Sequence, residues 1–464
     1  MSIVPHCAAA TLQHDATLAP GVSGEPEGND LFGSSVALVG DVLVVGAFSD
    51  EIALLPGQSD AGNVGSVYVF RRVGPVWQFE QRLVAPDAEA GGWFGFDVAT
   101  DAGRLLVGAP MHDTPAPGTG GLIGDQGAAY VYRHDGGGWV LEQKLVPQVA
   151  LGAFAHFGHA VALQDDTAII GIPDWGGGGA DAFVRDANAQ WTHQARLLAT
   201  TPYSGPNAFG RAVALDGVTV VIGAPTEDNG GISNSDSGAA YVFTRSGQTW
   251  SQQARLLPVP SASGQAFGEA VAVLGDRALV AARDETVNGL GSAGAAYDFR
   301  RNAGSWGAAS RLTAAAPGLS FRFGNSLALV GQRAVIGSYW QSGDGGSQQG
   351  AAQVFDDGGS GFAFTQMLIA PPTTRGAFNQ FASDVAASGA RVAIGEPGFD
   401  GSSFNAGRAH VYLDDAAAVF HDGFEKRRAS LSSGFSRTDL NMSSPRYPAP
   451  GAATPTDRSD PRTV

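Results

Sequence analysis

The chain has 464 residues, of which 44% are hydrophobic and only 16% charged, with 66 glycines; ample apolar content and many tight turns point to an all-β fold and exclude one built on solvated helices. A formal net charge of −16, more negative still ahead of the basic segment that begins at Lys426, excludes phosphate backbones and anionic membrane surfaces as partners. Cys7 is the sole cysteine, so no internal disulfide forms, and no stretch approaches the roughly 20 apolar residues of a membrane-spanning helix.

In chain order, Met1 to His6 lacks the basic start and apolar run of a signal peptide. Leu12 to Ala19 is a short β-prone segment standing ahead of a repeating pattern. That pattern is a Phe-Gly pair (Phe-Ala in the last unit) followed 14 residues after its Phe by a small Gly-Ala-Pro-like triplet. It occurs at Phe32 and Gly46, Phe94 and Gly108, Phe157 and Gly171, Phe209 and Gly223, Phe267 and Ala281, Phe323 and Gly337, and Phe381 and Gly395. In six units a glycine also precedes an aromatic residue by 12: Gly65 and Trp77, Gly127 and Trp139, Gly179 and Trp191, Gly238 and Trp250, Gly294 and Trp306, Gly350 and Phe362. Seven units at this spacing override the multi-domain expectation set by length, because stacked repeats share a continuous core.

One unit reads as four strands. In the first, Ser35 to Val39 and Val42 to Val45 flank a Gly40-Asp41 hairpin turn, Val67 to Phe70 is a third run, and Trp77 to Leu83 alternates apolar with polar as a fourth. Second strands are almost continuously apolar, as in Ala168-Ile169-Ile170, which predicts cover on both faces; fourth strands are the most polar, as an outer edge requires. Blades therefore run from an inner first strand to an outer fourth, and seven of them predict a β-propeller over residues 11–425. A Leu follows the fourth-strand aromatic by six residues in six units, and Leu12 and Leu18 keep that interval. We therefore expect the N-terminal segment to supply the outer strand of blade seven, whose third strand is His410 to Leu413, with Ala417 to Phe424 as competitor. Residues 426–464, rich in Arg, Ser, Pro and Thr without periodicity, predict a disordered tail.

The Phe-Gly and Gly-Ala-Pro alternation resembles the FG-GAP repeat, the unit of the seven-bladed propeller of integrin α subunits and of many exported bacterial proteins. The fifth unit, with Ala281-Ala282-Arg283, and the seventh, with Phe381-Ala382, depart furthest from it. The resemblance implies an extracellular or cell-surface protein. Members of that family carry Asp-rich calcium loops between strands one and two, whereas the corresponding turns here, such as Gly40-Asp41, Asp216-Gly217 and Gly275-Asp276, lack the six or more oxygens Ca²⁺ needs. We expect no metal and no other cofactor.

A four-strand meander places the turns between strands one and two and between three and four on one face, and the remaining connections on the other. Length varies in the second-to-third connections, so one face is uniform and the other irregular, the side on which binding residues gather. Candidate ligand-binding residues there are Asp50, Asp113, Asp174, Trp175, Asp228, Asp284, Trp340 and Asp400, an acidic rim with aromatic surfaces suited to a protein or carbohydrate ligand; the competing reading of each Asp beside Gly or Pro is turn chemistry. His156 and His159 flank Phe157 without a third metal ligand, and no nucleophile elbow, P-loop, zinc-protease or dinucleotide motif occurs. No catalytic residue is assigned. The expectation is a monomeric, non-enzymatic binding or adhesion propeller, the alternative a carbohydrate-active enzyme with an acidic site on the loop face.

Overall fold

A computed structural model describes residues 11–415 except 21–28, 53–61, 102, 117–119, 150, 201–206, 229–235, 344–345, 374 and 401–404. Seven four-stranded antiparallel sheets form a propeller, and the described residues contain no helix. Blade one is Ser35–Val39, Val42–Ala47, Ser66–Val73 and Val76–Leu83, in that spatial order. First strands meet one another in sequence around the axis, and Ser35–Val39 meets Val385–Ser388 of blade seven, which closes the ring. Second strands are buried after their first residue, and Thr167–Ile172 and Thr219–Ala224 at every position, while fourth strands such as Thr249–Leu256 alternate exposed and covered positions. A two-stranded ribbon, Thr114–Pro115 with Leu122–Ile123, lies in the second-to-third connection of blade two.

Hydrophobic burial is divided into seven clusters, one per blade interface. The Phe of each Phe-Gly pair is at most 1% exposed and meets third-strand aromatics of its own blade edge to face, as Phe94 meets Tyr130 with centroids 5.4 Å apart. The glycines explain how neighbouring blades come so close. A Cβ on Gly95 would lie 2.5 Å from the Ser66 carbonyl oxygen of the preceding blade, one on Gly65 would lie 2.1 Å from that of Phe94, and one on Gly46 would lie 2.2 Å from that of Gly95. Gly95 and Gly65 also have φ near +89° and +85°, which an L side chain rarely adopts. Blade five bears Ala281 where other blades have glycine. The approach is wider only beside that methyl group, where a Cβ on Gly324 would meet the Ala295 oxygen and the Ala281 Cβ at 3.0 Å, while one on Gly294 would still lie 2.2 Å from the Phe323 carbonyl oxygen. In blade three the glycine in the Gly65 role is Gly178 rather than Gly179, because the Asp186 to Gln190 turn is one residue longer and shifts the aromatic spacing.

The N-terminal strand Leu12–Leu18 pairs antiparallel with Arg408–Asp414 and completes blade seven; the competing segment Ala417 to Phe424, like the expected tail, lies outside the described residues. Its register repeats that of the true fourth strands: Leu18 opposes Ala409 as Leu145 opposes Ala129, and Leu12 opposes Asp414 as Trp139 opposes His134. Even the bulge is kept. In blades three and four the fourth-strand bulge offers Gln194 and Gln253, whose oxygens accept the indole N–H of the next blade's Trp250 and Trp306 at 2.8 Å. Asp15, at the bulge of the N-terminal strand, does the same for Trp77 at 3.2 Å. Gln366 of blade six clamps Leu12 through both backbone groups at 2.8 Å, as Gln81 clamps Trp139.

Leu12→Ala should destabilise the propeller by about 2–5 kcal/mol and Gln366→Ala by about 1–3 kcal/mol, measured by chemical denaturation; native stability in both would show that the ring does not depend on its N-terminal strand. Gly95→Ala, forced against the Ser66 carbonyl, should lower Tm further than Gly40→Ala, whose added Cβ meets nothing within 4 Å.

Candidate functional site

Counting two and three residues on from each Phe gives Ser34-Ser35, Phe96-Asp97, His159-Ala160, Arg211-Ala212, Glu269-Ala270, Asn325-Ser326 and Ser383-Asp384. These residues open the seven first strands and line one axial cavity of about 370 Å³. First strands begin where second strands end, on the irregular face. Phe48, at the end of a second strand, joins the lining.

One arc of the lining is acidic and hydroxylic, contributed by blades seven, one and two. Asp384 accepts the Val36 N–H at 2.8 Å and its own Val385 N–H at 2.9 Å; Asp97 accepts the Val161 N–H at 2.7 Å, the Val98 N–H at 3.0 Å and the Ser35 hydroxyl at 3.2 Å. Each carboxylate thus ties its blade to the next. Burial, and for Asp97 also the negative charge of Asp384, pushes the Asp97 carboxyl up to about 7 and Asp384 up to about 6. Facing blades three to five, Arg211 donates to His159 Nε2 at 3.0 Å and to Glu269 at 3.3 Å, and Arg283 reaches the same Glu269 oxygen at 2.7 Å. Because arginine can only donate, His159 Nε2 is the acceptor and Nδ1 carries the proton. Burial, reinforced by Arg211, lowers the His159 pKa to about 3. An aromatic wall completes the lining: Phe48 and Phe96 centroids are 5.3 Å apart, and Trp93 stacks on Phe96 at 5.7 Å with an interplanar angle of 12°.

The rim residues expected from sequence fall into three settings. Asp50 is 3% exposed and receives Tyr68, Ser66 and Arg82, one of three carboxylate–Tyr–Arg triads with Glu227–Tyr241–Arg255 and Glu285–Tyr297–Arg311. Asp113, Asp228 and Asp400 accept the N–H of Asp125, Asp236 and Asn405 at 2.9, 3.0 and 2.9 Å, in each case two residues before the third-strand glycine and at positive φ, so they staple the loops. The others border the cavity wall or pack between blades. Asp174 is exposed and pairs with His156 at 2.6 Å. Asp284 lies between Arg283 and Arg322 at 3.5 and 3.4 Å, and Arg322 stacks on Trp340 at 4.2 Å. Trp175 packs on the blade two–three core under Arg196, 4.6 Å from its ring. Trp93, Tyr339 and Trp340 are half-buried, and Tyr203 lies outside the described residues.

The axial lining was the part that sequence reasoning missed. Its signal was position alone, a constant offset from Phe at which residue types change freely from blade to blade.

Asp97 binds its proton more tightly folded than unfolded, so its contribution to stability is complete below the unfolded pKa near 3.8 and is lost as pH rises through about 7. Denaturation curves at pH 4, 6 and 8 should show wild type losing stability relative to Asp97→Ser as pH rises; a constant difference would place the Asp97 pKa in the ordinary range.

No curated protein matches this chain. Among solved structures, it is similar to the crystal structure of a protein from Lactobacillus plantarum, at 13% identity and a TM-score of 0.47, over 73% of this chain and 85% of that one. The family model for the FG-GAP repeat matches residues 22–70, 77–132, 191–243, 250–299 and 306–355, more than half of the chain. The fifth unit, with its Ala281 triplet, falls within these matches, whereas the third and seventh units do not. The chain belongs to the FG-GAP repeat family.

Proposed function

We propose that this propeller is a non-enzymatic binding module that works as a monomer outside the cytoplasm and meets a protein or carbohydrate ligand with its irregular face. The observation that carries this reading is the concentration of binding features on one face. Variable loops and the axial cavity lie there, together with the exposed Phe154 (62%), Leu319 (67%) and Phe378 (58%) of fourth-to-first connections, whereas the exposed apolar residues of the opposite face, Val73, Val76 and Val218, sit at tight turns. Membership of the FG-GAP repeat family supports an extracytoplasmic role.

The module acts without calcium. Support comes from the turn carboxylates, which are engaged by neighbouring groups: Asp41 by Arg391 at 3.1 Å, Asp276 by Arg301 at 2.6 Å and Asp216 by the Gly275 N–H at 2.6 Å. Chelator should therefore leave Tm and binding unchanged, and a Tm loss restored by Ca²⁺ would overturn this point.

One observation favours an enzyme instead: two cavity carboxyls hold protons toward neutrality, as catalytic acids do. Their oxygens, however, are bonded to backbone donors of adjacent blades, which gives them a structural task.

Arrays of glycans and extracellular proteins test the main reading. A ligand of the wild type should bind Phe154→Asp/Phe378→Asp at least about tenfold more weakly, a loss of about 1.4 kcal/mol, and bind the opposite-face variant Val73→Asp/Val218→Asp normally. The reverse pattern, or no binding above an unrelated propeller, would refute it. Turnover of aryl glycosides that disappears in Asp97→Ala would favour the enzyme.

A further inference from the structure

We infer that the axial cavity takes the ring of a neutral sugar, one pyranose laid against Phe48 and Phe96 with its hydroxyls divided between the Asp97–Asp384 arc and the Arg211–Glu269 arc. This deepens the binding-module reading and rests on it. Four observations lead here.

The cavity, about 370 Å³, lies within the roughly 300–1,000 Å³ of small-molecule sites and is too small for a folded partner segment. Its aromatic wall is braced, since Trp93 stacks on Phe96 and His159 tilts against the same ring at 5.0 Å, while Phe48 stands at 60° to Phe96, so that a guest ring lies on one ring face and meets the other at an angle. The π face of such a ring is negative and attracts the weakly positive C–H bonds on one side of a pyranose. Polar capacity is mixed. Asp384 spends acceptor sites on the Val36 and Val385 N–H groups and on the Ser35 hydroxyl, which leaves room for one further hydroxyl donor, while the guanidinium of Arg211 serves hydroxyl acceptors.

Charge decides among the remaining guests. Arg211 and Arg283 both contact Glu269, and the Asp97–Asp384 pair, linked through Ser35, resists full ionisation. An anion entering would face the two aspartates, and a cation would face the two arginines. A neutral molecule rich in hydroxyls meets neither penalty.

Titration calorimetry and saturation-transfer NMR on the full chain test this, using the methyl glycosides of glucose, galactose and mannose, and N-acetylglucosamine, at millimolar concentrations. Tetramethylammonium chloride and sodium phosphate serve as charged comparisons. At least one pyranoside should bind saturably, with saturation concentrated on the C–H protons of one ring face. Phe48→Leu should weaken it about five- to tenfold, the worth of one aromatic contact. Ala212→Trp, which fills the cavity, should abolish it. Absence of pyranoside binding to the wild type, or binding of a charged probe alone, overturns the inference whether or not the variants fold. If an array ligand binds Ala212→Trp as well as wild type, the irregular-face reading stands and the axial sugar site falls.

Discussion

The nearness of backbone to backbone at each blade interface is the constraint on which the rest of the molecule depends. Glycines on the second strands and just ahead of the first and third strands leave no room for a methyl group at most interfaces, with Ala281 and Ala382 the two buried exceptions, and the buried Phe beside them fills the wedge that opens outward from this contact. A propeller of seven sheets has seven small cores rather than one large one, so each interface must be tight by itself. Tight packing at the glycines brings the beginnings of the first strands together at the axis, and the cavity there is a direct product of that convergence.

Charge and hydrogen bonding reinforce the same geometry at two radii. Near the axis, Asp384, Ser35 and Asp97 pass hydrogen bonds from blade to blade through backbone N–H groups. At the rim, bulged residues hold the next blade's tryptophan; Trp139 is the exception, its indole N–H unpartnered, while the bulged Glu80 pairs with Arg71 and His134. Between these radii, the carboxylate–Tyr–Arg triads join the second, third and fourth strands of one blade.

How legible these layers were in the sequence follows from how much freedom each position has. Gly46, Gly65 and Gly95 admit no other residue without backbone displacement, so they recur at fixed spacing and the fold could be read from them, including the N-terminal strand through Leu12 and Leu18. Asp50 looked like an open rim carboxylate because its partners are distant in sequence. Yet Tyr68 stands three residues after a third-strand glycine and Arg82 five after a fourth-strand aromatic, intervals shared with Tyr241 and Arg255. The cavity lining was hidden for the opposite reason. Ser34, Phe96, His159, Arg211 and Glu269 occupy equivalent places with unlike side chains, and a search for repetition passes over them.

The pairing of Leu12–Leu18 with Arg408–Asp414 has a temporal side. During synthesis the propeller's N-terminal strand is made before the other described strands and is the last of them to find its neighbour, so nearly 400 residues are made while its backbone donors and acceptors stay open. An exposed strand edge held for that interval is an invitation to pair with a neighbouring nascent chain. A circular permutant carrying residues 11–19 after Asp415 would meet its partner at once, and the fraction of soluble product gained by that rearrangement would measure the biosynthetic burden of joining the two ends of one chain.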